Sequence, residues 1–203
     1  MERPQKYPVI GLVGGIGSGK SEVGGILRTL GCVVCDSDSL VRELYRTPEL
    51  KTELQSWWGL GILDEQGEVD RIAVGAIVFK DPIERARLEA FIHPRVEAER
   101  AKVFAAAPEG TRALVIDAPL LLEAGLAAAC TRIWFIDAPE QIRRTRVMTS
   151  RGWTADELAR REAAQWSLDR KRAAAHDVLR NDGDPASLRE QVLQALGNLP
   201  SEA

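Results

Sequence analysis

Short unbroken apolar runs alternate along the chain with stretches in which apolar residues recur every three or four positions. These are the signatures of buried strands and of helices packed on one face. Val9-Ile10-Gly11-Leu12-Val13 is the first run and reads as a buried parallel strand. Val23, Ile26, Leu27 and Leu30 follow at helical spacing over 20–30, and Gly31 stops that helix. A second strand is expected at 32–35. Asp36-Ser37-Asp38-Ser39 then opens a helix through Tyr45, with Ser37 or Asp38 as N-cap and Val41, Leu44 and Tyr45 on its apolar face. Thr47-Pro48 starts another helix, carrying Leu50, Leu54, Trp57 and Trp58, and 59–67 reads as a loop.

From 70 to 104 the pattern is helical and without strands. Ile72, Val74, Ile77, Val78 and Phe79 form one apolar set, and Leu88, Phe91, Ile92, Val96 and Val103 another. His93-Pro94 is expected to interrupt the second, because a residue before proline avoids the α region. Strands return at 113–117 and 132–136. Helices are expected over 139–148 and 154–174, then a short strand at 177–180, a turn at 181–183 and a closing helix over 185–197.

Strands alternating with helices predict a parallel sheet wrapped on both faces. The expected fold is α/β, with three layers and a five-stranded parallel sheet. Its core would comprise 1–47 and 111–138 with 175–203, interrupted by a helical substrate-binding insert at 48–110 and a helical lid region at 139–174. Ligands of such sheets bind at the carboxyl ends of the strands.

The chemistry concentrates between the first strand and the first helix. Gly14-Gly15-Ile16-Gly17-Ser18-Gly19-Lys20-Ser21 fits G-x-x-x-x-G-K-[ST], with a strand before it and a helix after it. Phosphate oxygens must approach backbone N–H groups closely, which explains the glycines, and the helix N-terminus adds unpaired donors and positive partial charge. Lys20 supplies a full charge to the β- and γ-phosphates, and the Ser21 hydroxyl is a hard oxygen ligand suited to Mg²⁺. The ATP-binding set is therefore Gly14, Gly15, Ile16, Gly17, Ser18, Gly19, Lys20, Ser21 and Glu22, and the expected three-layer fold is that of a phosphate-loop NTPase (P-loop NTPase).

Two carboxylates close apolar strands. Asp117 fits the acidic residue that holds Mg²⁺, directly or through water, beside the acceptor. Asp36 is placed to orient a hydroxyl and accept its proton late in a loose phosphoryl-transfer transition state, or else it caps the following helix. Basic residues outnumber acidic ones between Pro139 and Arg172. Ion pairing along exposed helices accounts for several of them. A lid bringing one or two arginines onto the phosphates accounts for others, with Arg144 and Arg151 foremost. His93, on the residues alone, is a turn residue.

Composition narrows the classes. The chain has 203 residues and a formal net charge of −3, which argues against a general nucleic-acid binder. Met1 to Pro8 is short and polar, and the apolar run after it is too short for a signal-peptide core. The apolar region 113–130 is interrupted by Asp117 and Glu123, so no membrane span is expected and a cytoplasmic location is. Cys32 and Cys35 have redox-motif spacing but lie in an apolar strand, and Cys130 has no clustered histidine; buried free thiols are expected, with no disulfide or metal cage.

Taken in order, these motifs resemble the dephospho-CoA kinase family over nearly the whole chain. The segment from Gly11 to Ser21 is similar to its phosphate loop, and Asp36-Ser37-Asp38 with Val41-Arg42-Glu43-Leu44 to its D-x-D segment. Val69-Asp70-Arg71, Val78-Phe79, Leu88-Glu89 and His93-Pro94 resemble its acceptor-binding helices, and Asp117-Ala118-Pro119-Leu120-Leu121-Leu122-Glu123 its D-x-P-L-L-F-E stretch. Gln165, Lys171, Asp177 and Asn181-Asp182-Gly183 match its lid and adenine-side turn. The chain departs at Val13, Glu22 and Leu122, and its spacing from Arg144 to Arg151 is longer than usual.

The resemblance implies ATP-dependent phosphorylation of the ribose 3′-hydroxyl of dephospho-CoA, the last step of CoA synthesis, with Mg²⁺. Asp36, Lys20 and Arg144 would be catalytic, and Asn181 would join the ATP site. Asp36, Arg71, His93, Asp117 and Arg151 would receive the acceptor, and Ser21 and Asp117 the metal. The expected assembly is a monomer or small homo-oligomer. Two alternatives stay open: another small-molecule kinase of this fold acting on a nucleoside monophosphate or sugar acid, and a nucleotide switch that transfers to nothing.

Overall fold

A computed structural model describes residues 6–200 of the chain. Residues 1–5 and 201–203, and with them the ends of the expected core segments and most of the polar N-terminal stretch, lie outside the described residues. Ser37–Ala106 forms one compact unit, and the residues before and after it form the other.

The flanking unit is built on a parallel five-stranded sheet: β1 Val9–Gly14, β2 Val33–Asp36, β3 Leu114–Asp117, β4 Arg132–Asp137 and β5 Asp177–Arg180. The strand order is β2-β3-β1-β4-β5. β1, which carries the glycine run, therefore lies between β3 and β4. Every residue of β1 and of β3 is buried, which is why these stretches read as unbroken apolar runs. Ile10, Leu12, Val115, Trp134 and Ile136 share one core with Val23 and Leu27 of α1 (Lys20–Thr29) and with Leu188, Val192 and Leu196 of the closing helix.

The other unit is helical, with α2 Ser37–Leu44, α3 Pro48–Trp58, α4 Arg71–Lys80 and α5 Pro82–Ala105. Its start at Ser37, ahead of residue 48, has a packing reason: Leu40, Val41 and Leu44 of α2 join the core made by Leu50, Leu54, Val74, Leu88, Ile92 and Val96. Local signals set the helix starts. Thr47 caps α3 through the Leu50 N–H, Asp70 caps α4 through the Ile72 N–H, and Asp81 caps α5 ahead of Pro82.

The expected break at His93-Pro94 does not occur, since α5 runs through Pro94. Leu88, Ile92, Val96 and Arg100, four apart, are all buried across that point. Packing of this continuous stripe offsets the roughly 3 kcal/mol that an interior proline costs.

The chain then forms α6 Glu140–Arg151, α7 Ala155–Ala163, α8 Leu168–Ala173 and α9 Pro185–Gly197. The single helix expected over 154–174 is thus two. Ser167 caps α8 by accepting from the Arg170 N–H, and the Trp166 N–H donates to Glu123 Oε1 at 2.8 Å, so the backbone between α7 and α8 finds partners outside a helix.

Candidate active site

The glycine run follows β1 directly, and α1 begins at Lys20. Gly17 and Gly19 have φ of 78° and 92°, conformations that side-chain-bearing residues avoid. Space forbids a side chain as well. A Cβ at Gly14 would lie 2.7 Å from the Ile136 carbonyl oxygen and 2.7 Å from Ser18 Oγ, and one at Gly17 would lie 2.7 Å from the Arg143 carbonyl oxygen. Ser18 is 1% exposed, and its hydroxyl has no hydrogen-bond partner among the described residues. A bare backbone turn, a buried unpaired hydroxyl and the N-terminus of α1 together suit a polyphosphate.

The loop is braced from behind. Arg143 of α6, buried, donates from Nη1 to the Ile16 carbonyl at 3.3 Å and to Glu162 of α7. Arg146 donates to the Ser18 carbonyl at 3.3 Å and to Asn181 Oδ1 at 2.9 Å. Asn181, directly after β5, is buried and donates to the Ser18 carbonyl at 3.0 Å and to Glu22 Oε2 at 2.8 Å. Its own N–H is fixed on the Asp137 carbonyl at 2.7 Å. Arg146, Asn181 and Glu22 therefore form a polar chain clasping the loop's last turn.

Asp36 and Asp117 are register partners at the carboxyl ends of β2 and β3, and Asp117 is also level with Leu12 of β1. β1 continues two residues past that level to Gly14, so the loop rises above both carboxylates. Two strand spacings put the Asp36 backbone about 10 Å from β1. Asp117 is 9% exposed, and its Oδ2 lies 4.0 Å from where a Cβ would stand on Gly24 of α1. Asp36 is partly exposed, as are Ile16 and Lys20, while Gly15 is buried and Ser21 exposed.

The structure thus brings together Gly14 to Glu22, Asp36, Asp117 and Asn181 in one unit. Arg144 turns instead to Glu140 on the outer side of α6, at 3.5 Å, and Arg151 stacks on the Trp153 ring with 4.9 Å to its centroid. The arginines that reach the loop are Arg143 and Arg146, with Glu162 as a partner. Their spacing with Val147, which is buried against Gly17, was the available signal, since positions 143, 146 and 147 fall on one helix face. Arg71 and His93 belong to the helical unit; both are exposed, Arg71 at the start of α4 and His93 within α5.

A second polar cluster lies beyond Asp117. Lys171 of α8, 1% exposed, contacts Glu123 at 3.2 Å, Gln165 Oε1 at 2.8 Å and the Pro119 carbonyl at 3.5 Å. Burial pushes the Glu123 carboxyl up, but the Trp166 N–H and Lys171 outweigh it and hold it below the ordinary carboxylate value.

Ser21 and Asp117 offer the hard oxygen donors that Mg²⁺ takes. Among the described residues no group of three or more His, Cys, Asp or Glu is placed to hold a metal by itself. Cys32 and Cys35 are buried and neither forms a disulfide, and burial pushes the Cys32 thiol up despite Arg112 nearby. Among the described residues no helix is long and apolar enough to cross a membrane.

A family model described as dephospho-CoA kinase matches residues 8–187. The dephospho-CoA kinase of Geobacillus kaustophilus is 38% identical over 189 residues, which cover 92% of this chain and 94% of that protein. A crystal structure from Thermus thermophilus superposes with a TM-score of 0.85 at 33% identity, covering 97% of this chain and all of the other. The structure of dephospho-CoA kinase from Campylobacter jejuni, at 21% identity, shares the fold with a TM-score of 0.67, covering 93% and 95% of the two chains.

Proposed function

The chain belongs to the dephospho-CoA kinase family, and from that premise we propose that it moves the γ-phosphoryl group of ATP to the ribose 3′-hydroxyl of dephospho-CoA. One observation carries the chemical side of this reading. The glycine loop and two strand-tip carboxylates, Asp36 and Asp117, occupy the same edge of one parallel sheet.

Each residue has a role in that reaction. Backbone N–H groups from Gly15 to Ser21 bind the donor's phosphates, and Lys20 offsets charge on the transferring group. Arg146 lies against the loop at Ser18, which supports giving it the charge-offsetting role expected of Arg144 and Arg151. Arg143 shapes the loop from behind through Ile16 and Glu162. Asp36 orients the 3′-hydroxyl and accepts its proton as the bond to phosphorus forms. An alcohol is a far weaker acid than a carboxylic acid, so the proton moves late, when the oxygen already carries the phosphoryl group. Ser21 and Asp117 would hold Mg²⁺, which supplies charge neutralisation across the phosphates. Arg71 and His93 serve the acceptor.

The test is a product assay read by mass. Wild-type chain with Mg-ATP and dephospho-CoA should yield one added phosphate on the ribose 3′-oxygen and stoichiometric ADP. Nucleoside monophosphates and sugar acids should give no product. Turnover of one of those acceptors, with none of dephospho-CoA, overturns the assignment.

A further inference from the structure

The helical unit contains a concavity of its own, with a volume of about 520 Å³. It is lined by Arg42, Tyr45, Arg46, Glu68, Val69 and Arg71. Three guanidinium groups thus face one carboxylate. The volume lies in the usual range for small-ligand sites, roughly 300–1,000 Å³.

The cations are positioned. Arg42 donates to Ser39 Oγ, and Arg46 is steadied by Glu43 at 2.8 Å. The Arg71 guanidinium lies over the Tyr45 ring, 5.2 Å from its centroid. Besides Glu43, two nearby carboxylates have partners of their own. Asp70 accepts from the Ile72 N–H at 2.7 Å as the cap of α4, and Glu68 has Lys51 at 4.0 Å. The lining offers little for a purine, since only Val69 and the Tyr45 ring are apolar. It offers much for a compact dianion, because guanidinium forks match phosphate oxygens in pairs.

We propose that this cavity is the diphosphate subsite for the acceptor, with Arg42, Arg46 and Arg71 gripping the diphosphate that joins adenosine to pantetheine in dephospho-CoA. The assignment rests on dephospho-CoA being the acceptor. It adds Arg42 and Arg46 to the acceptor set and gives Arg71 a specific partner.

The test compares wild type with Arg46→Gln and Arg71→Gln in steady-state assays, using 4′-phosphopantetheine and pantetheine as inhibitors against dephospho-CoA. The Arg46 side chain is 72% exposed, so its substitution does not endanger folding. Each variant should raise KM for dephospho-CoA about tenfold, the loss of one charge-assisted contact, with KM for ATP within about twofold of wild type. In wild type, 4′-phosphopantetheine should compete with dephospho-CoA, and each variant should weaken that inhibition in parallel. Inhibition by pantetheine, which has no phosphate, should not change. Unaltered KM for dephospho-CoA in both variants, with wild type turning over normally, overturns the subsite and leaves the kinase assignment standing. So does inhibition by 4′-phosphopantetheine that neither variant weakens. A wild-type chain with no dephospho-CoA turnover overturns both.

Discussion

Asp36 and Asp117 stand opposite each other, in register, at the ends of two adjacent parallel strands. Their backbones are about 5 Å apart, yet their surroundings differ. Asp117 is buried beside α1, whereas Asp36 is partly exposed at the edge strand of the sheet. The buried member suits a metal and the accessible one suits a substrate hydroxyl. Asp36→Asn should therefore cut kcat by roughly a hundredfold or more, the usual scale for losing a general base, and leave KM for ATP within about twofold. Initial rates at varied ATP and saturating dephospho-CoA measure both. A variant with wild-type kcat removes Asp36 from the mechanism.

The arginines of α6 divide by what they touch. Arg146→Ala removes the guanidinium that joins the Ser18 carbonyl to Asn181. It should raise KM for ATP and lower kcat, together costing about a hundredfold in kcat/KM. Arg144→Ala removes an exposed i,i+4 pair with Glu140 and should change kcat/KM less than twofold. The same assay on both proteins decides which arginine serves the phosphates. Equal losses would return Arg144 to the site.

Much of this arrangement was legible in the sequence because it rests on local signals. The loop motif, the Asp36 and Asp117 strand ends and the Asp-Pro or Thr-Pro helix starts each follow from a few adjacent residues. The misreadings came where distant partners decide. Pro94 predicts a break when considered with its neighbours alone, and only the buried stripe from Leu88 to Arg100 shows why the helix continues. The gap between α7 and α8 depends on Glu123, which lies 43 positions from Trp166 in the chain. Arg144 and Arg143 are indistinguishable by composition. Which one is buried depends on how α6 rolls against the loop, through Val147 and Gly17.

Gly17 offers a test of the loop's backbone. Its φ of 78° and the nearby Arg143 carbonyl oxygen leave no room for a methyl group. Gly17→Ala should lose about 1–3 kcal/mol of stability, a fall in Tm of about 2–12 °C, and weaken ATP binding at least tenfold. Gly25 is the control, because it lies within α1 and a Cβ there would have no neighbour within 4 Å. Gly25→Ala should gain about 0.5–1 kcal/mol and leave ATP affinity unchanged. Thermal melts with and without ATP separate the two effects.

The Lys171–Glu123 pair ties α8 to the segment that follows Asp117, and its charge makes that tie sensitive to pH. Lys171→Met leaves the partly buried Glu123 without its cation, which should cost about 2 kcal/mol at pH 7, a fall in Tm of roughly 4–8 °C. Glu123 is held below its ordinary value of 4.5 in the folded chain. Its contribution is therefore fully present above pH 4.5 and is lost as pH falls through the lower folded value. The gap in Tm between wild type and Lys171→Met should be constant from pH 7 to about 5 and narrow below 4.5. Pairing Lys171→Met with Glu123→Gln should recover part of the loss, because the second substitution removes the stranded charge. If the pair also positions Asp117 through the Pro119 carbonyl, kcat should fall in Lys171→Met at 25 °C, where the variant remains folded, with KM for ATP little changed. A gap in Tm that stays constant down to pH 3.5, or a double variant no more stable than Lys171→Met, would show that packing of the lysine stem, and not its charge, holds α8 in place.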